Sequence, residues 1–249
     1  MTTDIAICIS GQARVTDVVM NSFRDMLHRP LCEHFDNVDV FCHFWLNRSF
    51  DRYSWDAGEP VTHETVYHAF DGIKNTNFQL ECPVNFFERD CQISVPIKEA
   101  PSYESQYHSV LSARDMMIES ERRRSIQYKF VIRTRIDLIF KEMFSPEWLG
   151  HASNIVCIPD REGHKWRGDE PPKPWSHHNW VPDQFWAGGR RPVVHLMSFL
   201  NGFGKKIYRP HEKNNIEVMM HRHWNMLRPP CRIRRIPFLY KIERTTNNR

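Results

Sequence analysis

The segment Arg133-Thr134-Arg135-Ile136-Asp137 places two arginines and an aspartate at every second position. It follows Tyr128-Lys129-Phe130-Val131-Ile132, a mostly apolar, β-branched and aromatic run that predicts a strand. In extended backbone, residues two apart point to the same face. Two guanidiniums and one carboxylate would then line one side, just past a strand end. Ligands of α/β sheets gather outside the carboxyl ends of strands. The plainer alternative is an ion pair at a strand end.

Other acids are candidates too. Asp183, in Pro182-Asp183-Gln184, follows a long Pro-rich and aromatic stretch over 160–180. Loops of that length inside a compact domain are often functional. A turn aspartate after a proline is the plainer reading of Asp183. Glu217 is a second acid, and a first-turn helix carboxylate is its simpler role. The 14 histidines are scattered. His177-His178 are adjacent and His221-x-His223 would diverge on a helix, so neither pair forms a chelating face and no dedicated zinc site is expected. The C-terminal Arg232, Arg234, Arg235, Lys241 and Arg244 read as a solvated face or, alternatively, as a diphosphate clamp. Walker A, G-x-G-x-x-G, G-x-S-x-G and H-E-x-x-H motifs are absent, which disfavours NTPase, dehydrogenase, α/β-hydrolase and zincin chemistry.

These residues need elements to hold them. Ile5–Ile9 predicts a buried strand ending at Ser10-Gly11. Val15, Val18, Val19, Phe23, Met26 and Leu27 recur at helical spacing, with Pro30 as the expected stop. Val38–Trp45 predicts a second strand. This strand–helix–strand opening belongs to the α/β class. Between 46 and 101 the pattern is weaker: one short helix around Val66–Ile73 and a faint strand at Val84–Phe87. Ser102 is the expected N-cap of a long helix that closes on Arg122-Arg123-Arg124, where positive charge suits the dipole. Strands follow at Leu138–Phe140 and Asn154–Ile158, then a short strand and turn over Asp183–Gly189. Helices are expected over Val193–Phe203 and Asn215–Leu227, and one strand over Ile233–Tyr240.

Composition bounds the rest. The chain has 249 residues, 41% hydrophobic and 26% charged, which fits one globular domain and excludes a disordered chain. Its net charge of +4 is mild for a dedicated nucleic-acid binder. The aromatic content (Trp 8, Phe 16, Tyr 7) suits a large core and also a cleft that stacks sugars or bases. Seven cysteines, an odd number with no Cys-x-x-Cys, argue against a disulfide framework and for a reducing compartment. The N-terminus lacks the features of a signal peptide, and no run approaches the ~20 apolar residues of a membrane span. A soluble, cytoplasmic protein is the expectation.

The stretch Tyr128–Asp137, preceded by a helix carrying Ser105-Gln106-Tyr107, resembles the small GT-A glycosyltransferases of large algal viruses and related polysaccharide-synthesis enzymes. Three other pieces fit in the same order: Ser10-Gly11-Gln12-x-Arg14, Val38-Asp39-Val40-Phe41-x-His43-x-Trp45, and Pro182-Asp183-Gln184-Phe185-Trp186-Ala187-Gly188. Together they span residues 5–190. The resemblance implies a single α/β GT-A-like domain over 1–249, with a central mixed, mostly parallel sheet flanked by helices. Its nucleotide part would cover about 1–140 and its acceptor part about 141–249. It implies sugar transfer from a nucleotide sugar, a UDP-sugar such as UDP-glucose or UDP-xylose, to a glycan or glycoprotein acceptor, a viral capsid glycan among them. Ser10, Gly11, Gln12, Arg14, Gln106, Arg133 and Arg135 would bind the donor, Asp137 would hold Mn²⁺ or Mg²⁺, and Asp183 would be catalytic. One departure stands out: Arg135 occupies the place of the first Asp of the family's Asp-x-Asp, which bears on metal dependence. The competing function is a basic, aromatic-rich module for single-stranded nucleic acid.

Overall fold

The computed structural model describes residues 4–46, 61–81, 100–150, 153–160, 181–199 and 216–242; for 100–105 and 216–219 only the backbone is described. Strand β1 (Asp4–Gln12) sends Ile5, Ile7 and Ile9 into one apolar layer and Ala6 and Cys8 into another. A strand buried on both faces reads as a continuous apolar run, which is why it was legible.

The next helical run comprises α1 (Asp17–Ser22), a π-helical stretch Phe23–His28, and α2 (Arg29–His34). Pro30 does not stop it but sits in the first turn of α2. Proline has no N–H to give the carbonyl four residues back. Here that carbonyl, of Met26, accepts instead from the Phe144 amide at 2.7 Å. Then come β2 (Asn37–Trp45), α3 (His63–Ala69) and β3 (Thr76–Glu81). Helix α4 (Ala100–Arg124) starts upstream of Ser102, so that residue lies inside the helix rather than at its cap. Its last turn is not simply solvated, because Arg124 is hydrogen-bonded to Asp39, which also accepts from the Tyr128 hydroxyl at 2.5 Å.

Strands β4 (Phe130–Thr134), β5 (Leu138–Phe140), β6 (Ile155–Pro159) and β7 (Phe185–Gly189) follow. Strand β7 passes directly into α5 (Arg190–Met197) without the expected turn. Gly188 is required there, because a Cβ would stand 2.2 Å from the Ile155 carbonyl oxygen. After α6 (Ile216–Asn225), the single C-terminal strand of the sequence prediction is two, β8 (Arg232–Ile236) and β9 (Tyr240–Ile242), parted around Pro237. The segments 84–87, 161–180 and 200–203 lie outside the described residues.

Seven strands form one sheet in the order β3-β2-β1-β4-β7-β6-β8, while β5 and β9 pair separately. Strands β3, β2, β1 and β4 are parallel; β7 runs against β4 and β6, and β8 parallels β6. The fold is α/β with a mixed, mostly parallel sheet, as expected. Strands from both sides of residue 140 share that sheet, so no domain break falls there. Val19, Phe23, Leu27 and Leu31 cover one face; Val110, Ala113 and Met117 of α4, with Val193 and Leu196 of α5, cover the other. From β1 the chain builds β2 and β3 on one side, then returns to lay β4 on the other. That reversal opens a crevice at the carboxyl ends of β1 and β4, the usual ligand position in such sheets. Among the described residues no helix is long and apolar enough to cross a membrane.

Candidate functional site

The residues singled out in the sequence converge on this crevice. Ser10, Gly11 and Gln12 end β1. Gly11 has φ +126°, which disfavours a side chain, and its amide donates to the Ser109 hydroxyl of α4 at 2.9 Å. On the adjacent strand, Arg133 pairs in register with Cys8 and lies on the α4 side of the sheet. Its Nη2 donates to the Ser10 hydroxyl at 3.3 Å, and its guanidinium stands 4.9 Å over the Trp186 ring. Arg133 is fully buried, yet its Nε and Nη1 have no hydrogen-bond partner among the described residues. Burial pulls its pKa down to about 10, against the attraction of Asp183.

The extended alternation predicted through residue 137 ends at Thr134. Ile136 and Asp137 form a turn, and this separates the two arginines' roles. Arg135 donates from Nε and Nη2 to the two Asp137 carboxylate oxygens at 2.8 and 2.6 Å. Arg14 donates to Asp137 Oδ2 at 2.9 Å and to Gln12 Oε1 at 2.8 Å. Burial would raise the Asp137 carboxyl, but Arg135 and then Arg14 outweigh it and hold it low. Asp137 therefore does not fit Mn²⁺ or Mg²⁺ as it stands. Both its oxygens are occupied by guanidinium N–H groups, and a cation would have to displace them.

Asp183 is buried at 7% exposure and accepts a hydrogen bond on Oδ2 from the Gln106 amide of α4. It precedes β7, and the Trp186 indole N–H donates to the Pro182 carbonyl, which fixes this corner. Arg133 and Arg135 both feel the Asp183 charge. Ser10, Gly11, Gln12, Arg14, Gln106, Arg133, Arg135, Asp137 and Asp183 thus form one neighbourhood. Of the C-terminal basic residues those of β8 do not join it, whereas Lys241 lies on β9 paired with Ile139 of β5 and Arg244 falls outside the described residues. Strand β8 is the far edge of the sheet, with β7 and β6 between it and β4, and Arg234 is spent on the Trp148 carbonyl at 2.8 Å. This removes the diphosphate-clamp alternative for β8. Glu217 falls in α6, and its side chain, like His177 and His178, lies outside the described residues.

One cluster beside the crevice was not foreseen. His43 of β2, Glu81 of β3 and His108 of α4 bring one ligand-type atom each within 4.8 Å of one another. His43 Nε2 is 3.4 Å from Glu81 Oε1, and His108 Nε2 is 3.9 Å from Glu81 Oε2. Burial pushes the His43 imidazole down to about 4, against the Glu81 carboxylate. Burial alone would raise Glu81, but the Gln79 amide and the two imidazoles outweigh it and hold it low. His221 and His223, on one helix, do not chelate together: the His223 Nε2 instead meets the His195 carbonyl at 2.8 Å.

No family model and no curated protein matches this chain.

Proposed function

We propose that this chain transfers a glycosyl group from a nucleotide-sugar donor, a UDP-sugar, to a hydroxyl of a glycan acceptor. The observation that carries the reading is Arg133: a fully buried cation at the sheet's switch point with two guanidinium nitrogens left unpartnered. A buried charge without a partner is costly. Its Nε–H and Nη1–H donors point in different directions, so each can meet a separate anionic oxygen of a diphosphate. In glycosyl transfer the bond from the anomeric carbon to the diphosphate oxygen breaks, and negative charge grows on the departing diphosphate. Arg133 would take that charge, with Arg135 and Arg14 behind it. The new bond forms between the acceptor hydroxyl oxygen and the anomeric carbon. In an inverting reaction the hydroxyl proton would pass to Asp183, which Gln106 orients; in a retaining one Asp183 would support the oxocarbenium-like centre. No step is assigned to a divalent cation on Asp137. The resemblance in the sequence and the convergence of its named residues support the same reading.

The test is a thermal melt with UDP, with pyrophosphate and with a short single-stranded oligonucleotide, at low and high salt. A ligand that binds only the folded state at one hundred times its Kd stabilises by about 2.7 kcal/mol. UDP is expected to raise the melting temperature, and Arg133→Met to abolish that rise. A response to oligonucleotide alone, collapsing with salt, would replace this reading with nucleic-acid binding.

A further inference from the structure

We propose that His43, Glu81 and His108 form a zinc-binding site with two imidazole ligands and one carboxylate. The hydrogen bonds around His43 carry the inference. Ser109 Oγ donates its only proton to the His43 carbonyl oxygen at 2.9 Å and accepts from the Gly11 amide at 2.9 Å. With that proton on the carbonyl, the remaining contact, 2.8 Å to His43 Nδ1, is donated by Nδ1–H. In the neutral ring that fixes the tautomer and leaves Nε2 as a bare lone pair. Nε2 is buried and has no hydrogen-bond partner among the described residues. What it faces is Glu81 Oε1, another acceptor, at 3.4 Å. In that tautomer two acceptors stand face to face, an arrangement that a cation between them relieves.

One spacing fits that cation, and His108 Nε2 stands further off, 3.9 Å from Glu81 Oε2. Ligands ~2.1 Å from a tetrahedral ion stand about 3.4 Å apart, which is the His43–Glu81 separation. Two imidazoles and a carboxylate are a borderline donor set that suits Zn²⁺ better than Mg²⁺ or Ca²⁺. The outer partners of a zinc site are present as well. Ser109 holds the His43 ring through its other nitrogen, and Gln79 donates to Glu81 Oε1 at 2.6 Å. Glu81 and His108 each keep 33% side-chain exposure, so the fourth position opens toward solvent. Three protein ligands plus an open position is the arrangement of a reactive zinc rather than a closed structural one. Ser109 also ties the site to Gly11, so an ion there would brace the β1 loop of the crevice. The inference stands independently of the glycosyl-transfer reading.

The test is zinc affinity of the full chain after chelator treatment and dialysis. It uses competition with a chromophoric chelator, with circular dichroism to confirm folding. One equivalent bound at submicromolar Kd is expected. Glu81→Gln and His108→Ala, both at half-exposed positions, should each weaken binding at least 100-fold while the chain stays folded. Zinc-edge absorption should give nitrogen and oxygen at about 2.0–2.1 Å and no sulfur shell near 2.3 Å, which separates this site from any built on cysteine. Absence of binding, a sulfur shell, or parent-like affinity in both variants would overturn the proposal. UDP-induced stabilisation is measured separately, so either reading can fail alone.

Discussion

Replacing Arg133 by methionine should make the protein more stable and less able to bind a nucleotide diphosphate. The side chain is fully buried, and burial holds its pKa down to about 10 even with Asp183 nearby. At about 1.4 kcal/mol per pK unit, the charged form is kept at a net cost of about 3 kcal/mol. The contact with Trp186 returns about 1–2 kcal/mol. A methionine of similar length fills the space without either term, and exchange of a buried charge for an apolar side chain is commonly neutral or stabilising. The ligand-free chain should therefore gain roughly 0–2 kcal/mol. Binding moves the other way. Two charge-assisted hydrogen bonds from Nε and Nη1, each worth about 1.5–3 kcal/mol, amount to ~10²–10⁴-fold in UDP affinity. Urea denaturation without ligand reads the first effect, and calorimetric titration of UDP reads the second. A loss of more than about 2 kcal/mol of ligand-free stability would show that Arg133 is there to hold the fold. Parent-like UDP affinity in the variant would refute its role as the diphosphate anchor.

Three further outcomes follow from the same geometry. Asp183→Asn should lower kcat by about 10²–10⁴-fold with donor KM nearly unchanged; steady-state kinetics check it, and a raised donor KM with intact kcat would move Asp183 to the donor side. Asp137→Ala leaves Arg14 and Arg135 facing each other without their shared carboxylate, and should cost about 3 kcal/mol in urea melts; a loss below about 1 kcal/mol would mean the cluster is a solvated surface pair. The stacked His195 and His223 rings, 4.1 Å apart, each point Nε2 at the other's carbonyl. Burial, with His195 adding to it, holds His223 down at about 4. A depressed histidine contributes its full stability above its unfolded pKa of about 6.5 and loses it as pH falls toward the folded value. Between pH 7 and 4.5 its share of the loss should be about 2–3 kcal/mol. His223→Gln should flatten the pH dependence of urea melts by that amount, and an unchanged slope would contradict the assignment.

The fold class was legible because buried parallel strands announce themselves. Ile5–Ile9 is apolar on both faces and Val38–Trp45 on one, with Asp39 and His43 on the other, and nothing in a polar loop imitates such runs. Arg133, Arg135, Asp137 and Asp183 were legible as chemistry because each sits where an apolar run or a long loop ends. Which of them would be free was decided only by tertiary structure. The turn at Ile136-Asp137 hands the carboxylate to Arg135 and to Arg14, a residue 123 positions away, and leaves Nε and Nη1 of Arg133 without a partner among the described residues. Strand β3 was missed although Phe78 and Leu80 alternate with Asn77, Gln79 and Glu81, because the run is short and all six residues are only half-buried. With β3 unseen, Glu81 had no position, and the histidine cluster could not be assembled. His43 and His108 lie 65 residues apart and are joined only by the packing of α4 on β2 and β3. Local periodicity reports burial, because each residue meets the core or the solvent on its own. Chelation and charge pairing report coincidence between distant segments, and that information arises only when the sheet order and the helix register bring them together.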